Sequence, residues 1–250
     1  MSRYGWVALG IMRHVMARKR RLLVSLAAIQ MVFSAAIMWG IPLIAGGATD
    51  AQRFLTAAWH LGLLVIGLAV APQEMAEWKI DGYFEELQQL PLPRPVLAMA
   101  ELLSWIVTML PGIVLTPLLA WAGFGILPVH IWTAGFVLLI AALIYLGIGM
   151  ILMLFMPLEG VQVVSQILMV FAMLLSPILY PASRLPHWIE AVHAVLPFMP
   201  VNTTLMNAVS GHAIDAGSLT CALVWAVAAT ILAAAALVVR KKGIPITKDA

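Results

Sequence analysis

The chain has 250 residues, 63% of them apolar and 10% charged, with a mean hydropathy of +1.02. A soluble domain carries about 25% charged residues, and a fold of this size cannot enclose so much apolar surface in one core, so a soluble globular enzyme is excluded. The net charge of +3 is gathered in blocks beside apolar runs, a pattern that marks the ends of membrane spans rather than a nucleic-acid face.

In chain order, Trp6, Val7, Leu9, Met12, Val15 and Met16 recur at near-helical spacing, flanked by Arg3, Arg13, His14 and Arg18. Residues 1–20 are therefore predicted as an amphipathic helix lying along the cytoplasmic interface. No small-residue cleavage site follows an apolar h-region, so this segment is read as retained.

Stretches of roughly 20 apolar residues cross a bilayer as helices, which predicts six spans over 22–46, 54–73, 97–122, 131–157, 160–181 and 217–239. A seventh charge-free stretch, 191–214, contains Pro197, Pro200, Asn202, Thr203, Thr204 and Asn207. Their hydrogen-bonding demands suit a re-entrant segment better than lipid exposure. With six spans and both termini cytoplasmic, only Arg53 and Arg184 of the 14 Lys and Arg residues face outward. A seventh span would export the block Arg240, Lys241 and Lys242, against the positive-inside rule. The fold class is thus an all-α integral membrane protein.

Two loops carry information. Residues 74–95 read EMAEWKIDGYFEELQQLPLPRP. Asp81 and Gly82 can start a helix there, Tyr83, Phe84, Leu87 and Leu90 form its apolar edge, Glu85, Glu86, Gln88 and Gln89 its polar face, and Pro91 its stop. The polar face is too acidic for an anionic membrane surface, so a helix over 81–90 points to a protein groove, the alternative being a helix packed on the base of its own protein. In the outward loop 180–217, Leu185, Trp188, Ile189, Val192 and Val195 form a stripe bounded by Pro186 and Pro197. Two short helices, 185–196 and 199–209 within 184–210, are predicted to enter and leave on one side, with Trp188 at the interface.

These loops resemble type-2 ATP-binding-cassette exporter permeases. The cytoplasmic loop is similar to that family's coupling segment through Asp81, Gly82, Glu85, Leu87, Leu90, Pro91 and Arg94. The outer loop is similar through Ser176, Pro181, Leu185, Pro186, Trp188 and Pro197. The resemblance implies a permease whose coupling residues Asp81, Gly82, Tyr83, Phe84, Glu85, Leu87, Leu90 and Arg94 meet an ABC ATPase. It also implies two copies of that ATPase, a second permease copy with the transport path between them, and an external gate of Leu185, Pro186, Trp188 and Pro197. The run LPLPRPVLAMAELLSWIVTMLPGIVLTPLLA also looks like the haem-exporter branch, whereas the outer loop fits drug and glycolipid exporters better. The expected location is a bacterial or archaeal cell (inner) membrane.

No phosphate-binding Gly-x-x-x-x-Gly-Lys-Ser/Thr run is present, so ATP and Mg are expected on the partner ATPase and no cofactor on this chain. His60, His130, His187, His193 and His212 show no zincin-like i, i+4 pairing, and no metal site is assigned. Met150, Met153, Met156, Met169 and Met173 are read as packing or as a promiscuous apolar cavity. Carboxylates are absent from the span centres, with Glu101 and Glu159 near span ends, which counts against proton-coupled transport. The path is assigned to Gln30, Ser34, Gln162, Ser165, Gln166 and Met169, residues that could instead bridge helices. The lone Cys221 offers no disulfide, and membrane lipid, not nucleic acid, is the remaining partner. The alternatives are a haem-exporter-like permease in cytochrome assembly, an intramembrane enzyme and a non-transporting assembly subunit; no Asp-rich, His-x-x-x-His or Gly-x-Ser-x-Gly arrangement supports an enzyme.

Overall fold

The computed structural model describes residues 19–44, 50–83 and 94–239. Among them are no strands and six helices long and apolar enough to cross a membrane: Leu22–Ile44, Ala51–Ile80, Met99–Phe124, Ile131–Phe155, Leu158–Leu175 and Ala216–Ala235, called spans 1 to 6. Helices satisfy every backbone group within the segment, which the hydrocarbon core requires. Two short helices, His187–Val195 and Phe198–Ser210, stand between spans 5 and 6. The predicted interfacial helix over 1–20 lies outside the described residues, save Lys19 and Arg20.

Prolines shape the spans. A proline lacks the N–H that would bond four residues back, and its ring crowds that carbonyl. Span 1 widens into a π-helical turn at Ala36–Gly40 just before Pro42, and span 2 does the same at Val65–Val70 before Pro72. Span 3 stays α-helical across Pro111 and Pro117. The carbonyl freed by Pro117 belongs to Ile113 and accepts the Trp59 indole N–H at 2.9 Å.

Several boundaries differ from expectation for reasons of the same kind. Span 2 runs to Ile80 instead of 73, because Met75, Ala76 and Trp78 continue its buried face past the charge-free stretch. Asp81 and Gly82 form a turn after span 2, and Tyr83 directly after them is helical. Asp81 caps the span 2 helix through its N–H to the Glu77 carbonyl, and Gly82 at φ +80 ends it in the left-handed conformation that glycine adopts freely. Span 4 stops at Phe155 instead of 157 and span 5 at Leu175 instead of 181. Met156 and Ser176 are extended, as a residue before proline prefers, and Pro157 and Pro177 follow them. The Tyr180 hydroxyl donates to the Leu174 carbonyl of that last turn at 2.7 Å.

Spans 2 and 4 form the centre, and spans 1, 3, 5 and 6 are mostly exposed around them. The central pair touches backbone to backbone: a Cβ added to Gly149 would lie 2.4 Å from the Gly67 carbonyl oxygen, and one on Gly67 2.5 Å from the Tyr145 Cβ. Small residues permit such approach in membranes. Gly149→Ala should therefore destabilise the protein by about 1–3 kcal/mol through overpacking, although alanine is the better helix former by about 1 kcal/mol. Thermal unfolding in detergent checks the sign, and a stabilised variant would refute the close approach.

Spans 1 and 3 meet at a nearly constant sequence offset. Lys19 pairs with Glu101 and Ser34 with Thr116, both 82 apart, while Gly112 faces Gln30 and Gly123 faces Trp39. A constant offset means that the two helices run in the same direction.

Candidate functional site: a charged base and two short helices at the top

The end of the bundle holding Lys19, Asp81 and Glu101 is its base. There the Lys19 ammonium is fully enclosed, 2.8 Å from Glu101 Oε1. It donates to the Ser104 hydroxyl and lies 3.9 Å from the Trp105 ring centroid and 5.0 Å from that of Trp78. Trp78 stacks on Trp105 at 5.9 Å and meets Tyr83 edge-on at 5.5 Å. Span 2 is also tied to span 4 here: the Lys79 ammonium donates to the Met153 carbonyl at 3.2 Å, a cation on the last turn of a helix, where the dipole favours it.

Burial pushes the Lys19 ammonium down from its ordinary 10.5 to about 8, against the opposing pull of Glu101 and Glu74. The folded value lies below the unfolded one. The stability linked to this group is therefore fully present above pH 10.5 and lost as pH falls through about 8. Measured against Lys19→Met, the wild type should gain up to about 3 kcal/mol between pH 8 and 10.5, at about 1.4 kcal/mol per pH unit. Parallel melting curves of the two proteins across that range check it; a flat difference would refute the assignment.

Of the predicted coupling residues, Asp81 is exposed and Gly82 forms the turn. Tyr83 is buried at 2% exposure, and its ring is occupied by Trp78. It is thus an anchor within its own chain. Phe84, Glu85, Leu87 and Leu90 lie outside the described residues, and Arg94 opens the span 3 helix.

The six path residues are not brought together. Gln30 and Ser34 are buried between spans 1 and 3, where the Ser34 and Thr116 hydroxyls bond at 2.8 Å. The adjoining cavity, bordered by Trp59 and Gly112, is about 10 Å³. That is room for one water, whereas a drug-sized ligand needs about 300–1,000 Å³. Gln30 and Ser34 therefore join two spans. On span 5, Ser165 is buried and Met169 half-buried, while Gln162 and Gln166 share an exposed face with Val163, Ile167 and Val170.

At the top, Pro186 precedes the first short helix, Leu185 is half-buried, and Trp188 is exposed on one face with Val192 and Val195. The opposite face buries His193, whose Nδ1 is 3.2 Å from the Ser176 hydroxyl and whose ring stacks on Phe171. The Val195 carbonyl accepts the Trp225 indole N–H at 2.7 Å. Trp225 is nine residues into the span 6 helix, roughly 14 Å along it, so the end of the short helix sits among the spans. Buried Pro197 opens the second short helix. Its Asn202 donates from Nδ2 to the Pro177 carbonyl at 3.0 Å and offers Oδ1 to His60 Nδ1 at 3.3 Å. His60 Nε2 bonds the Tyr145 hydroxyl. Span 2, span 4, the short helix and the exit of span 5 are thereby joined.

Sequence reasoning missed this network and the base cage. A histidine in an otherwise apolar span was the available signal for His60, because an intramembrane ionisable group needs a partner. Lys19 stood within a basic block and gave no separate sign.

The chain matches the ABC-2 type transporter family over residues 7–209. It belongs to that family. No curated protein matches it. The match covers spans 1 to 5 and all but the last residue of the second short helix, so the protein is a multi-pass membrane permease subunit of an ABC transporter, a component that works with an ABC ATPase.

Proposed function

We propose that this permease is the membrane subunit of an exporter, moving an amphipathic or lipid-linked substrate out of the cytoplasm or inner leaflet of a bacterial or archaeal cell membrane. Two permease copies and two ATPase copies make the working complex, with both permease termini and the base of the bundle cytoplasmic. Phe84, Leu87 and Leu90 seat in a cleft of the ATPase. The observation that carries the reading is the amide pair on span 5. Gln162 and Gln166, four residues apart, lie on an exposed face inside a span. Lipid leaves amides without partners, so this face is covered by the second copy and lines the path between the two. Trp188 and the short helices stand over its outer end as the gate. The assay is a vesicle containing the permease and its ATPase, with ATP added on the ATPase side. A fluorescent phospholipid or amphiphilic dye should cross to the far leaflet or lumen only with ATP, and movement that is equal without ATP would overturn the reading.

A further inference from the structure

We propose that Lys19 is a positioning residue that locks the foot of span 1 to both arms of the coupling loop, so that the bases of spans 1, 2 and 3 move as one body. The inference rests on the reading of that loop as the joint with the ATPase, and it assigns a route by which the joint reaches span 1.

The geometry gives the reason. The loop leaves span 2 just after Trp78 and returns to span 3 just before Glu101. Lys19 touches both sides: the Trp78 ring at 5.0 Å on the departing arm, and Glu101 at 2.8 Å and the Trp105 ring at 3.9 Å on the returning arm. Tyr83, the first residue beyond Gly82, is packed on Trp78, so a pull on the loop reaches the cage directly. Apolar contacts between helices can slide at small cost. A fully enclosed ammonium cannot, because leaving its carboxylate or its rings strands a charge in a low-dielectric site. The carboxylate itself is buried, and its second oxygen has no hydrogen-bond partner among the described residues. That holds Glu101 to Lys19 equally firmly. No comparable ionic contact among the described residues ties span 1 to the rest of the bundle further along; the Ser34–Thr116 pair is neutral.

The test uses the permease assembled with its ATPase in lipid nanodiscs, with Cys221 replaced by alanine. Nitroxide pairs are placed on exposed positions: 24 with 77 across the feet of spans 1 and 2, and 77 with 232 across spans 2 and 6. Distances are measured without nucleotide and with ATP and vanadate. In the wild type the 77–232 distance should shift while 24–77 stays fixed. In Lys19→Met the 24–77 distance should broaden and shift with nucleotide, and Lys19→Arg, which keeps the charge over the indoles, should restore it. A 24–77 distance that shifts in the wild type, or stays fixed in Lys19→Met while 77–232 responds, overturns the lock and leaves the coupling reading standing. A wild-type 77–232 distance that ignores nucleotide overturns both. If Lys19→Met does not assemble, the wild type decides by its own pair of distances.

Discussion

Glu101→Ala is expected to destabilise the permease by about 1–2 kcal/mol at neutral pH, less than the usual cost of breaking a buried pair from one side. The substitution leaves the Lys19 ammonium enclosed with two indole rings and the Ser104 hydroxyl but no counter-charge. The lysine has an escape: it can release its proton. Neutralising a group whose folded value is already about 8 costs only about 1–2 kcal/mol at pH 7, which caps the penalty of the stranded charge, and the cap vanishes as pH rises past 8. The defect should therefore shrink by pH 9. Glu101→Gln keeps an oxygen that accepts from Lys19 and should cost less. The double variant Lys19→Met with Glu101→Leu should recover most of the loss, since a well-packed apolar pair replaces buried ions at little cost. Unfolding in detergent at pH 7 and 9 measures all three. A double variant as unstable as Glu101→Ala would show that the loss comes from packing and not from the stranded charge.

Phe84→Ala combined with Leu87→Ala is expected to abolish ATP-driven export while leaving the permease folded. Each side chain contributes ~1.5–3 kcal/mol when fully buried in a partner's cleft, and together they would account for roughly a third to three quarters of a micromolar affinity. Coupling requires that the two states of the ATPase prefer different permease arrangements. A weakened joint should therefore lower transport and its linkage to hydrolysis together, with substrate binding nearly unchanged. Tyr83→Ala should act differently, because Tyr83 is buried against Trp78: it should lower the melting temperature as well as transport. ATPase rate, its stimulation by the amphiphile and vesicle export are the measurements. Unchanged export in the double variant would remove residues 84–90 from the coupling role.

The number of spans was legible in the sequence because hydrocarbon demands about 20 apolar residues per helix, and composition alone reports that. The helix ends were less so. A charge-free stretch measures what the bilayer tolerates, whereas the span 2 helix continues to Ile80 for as long as Met75, Ala76 and Trp78 have something to pack against. The prolines at 157 and 177 marked the ends of spans 4 and 5 in plain sight, through their effect on the residue before them. The family was legible from Asp81, Gly82, Pro186 and Trp188, and the match over residues 7–209 agrees with it. The partners of the polar side chains were not legible. Hydropathy placed Gln30 and Gln162 alike within spans, yet one is buried against span 3 and the other lies on an open face. Lys19 and Glu101, 82 residues apart, and His60 and Asn202, 142 apart, meet only because spans 1 and 3, and span 2 and the second short helix, pack side by side. Local sequence sets which segments become helices; which helix faces which other is decided by backbone approach, as at Gly67 and Gly149, and by buried polar groups that must find one another when water is absent.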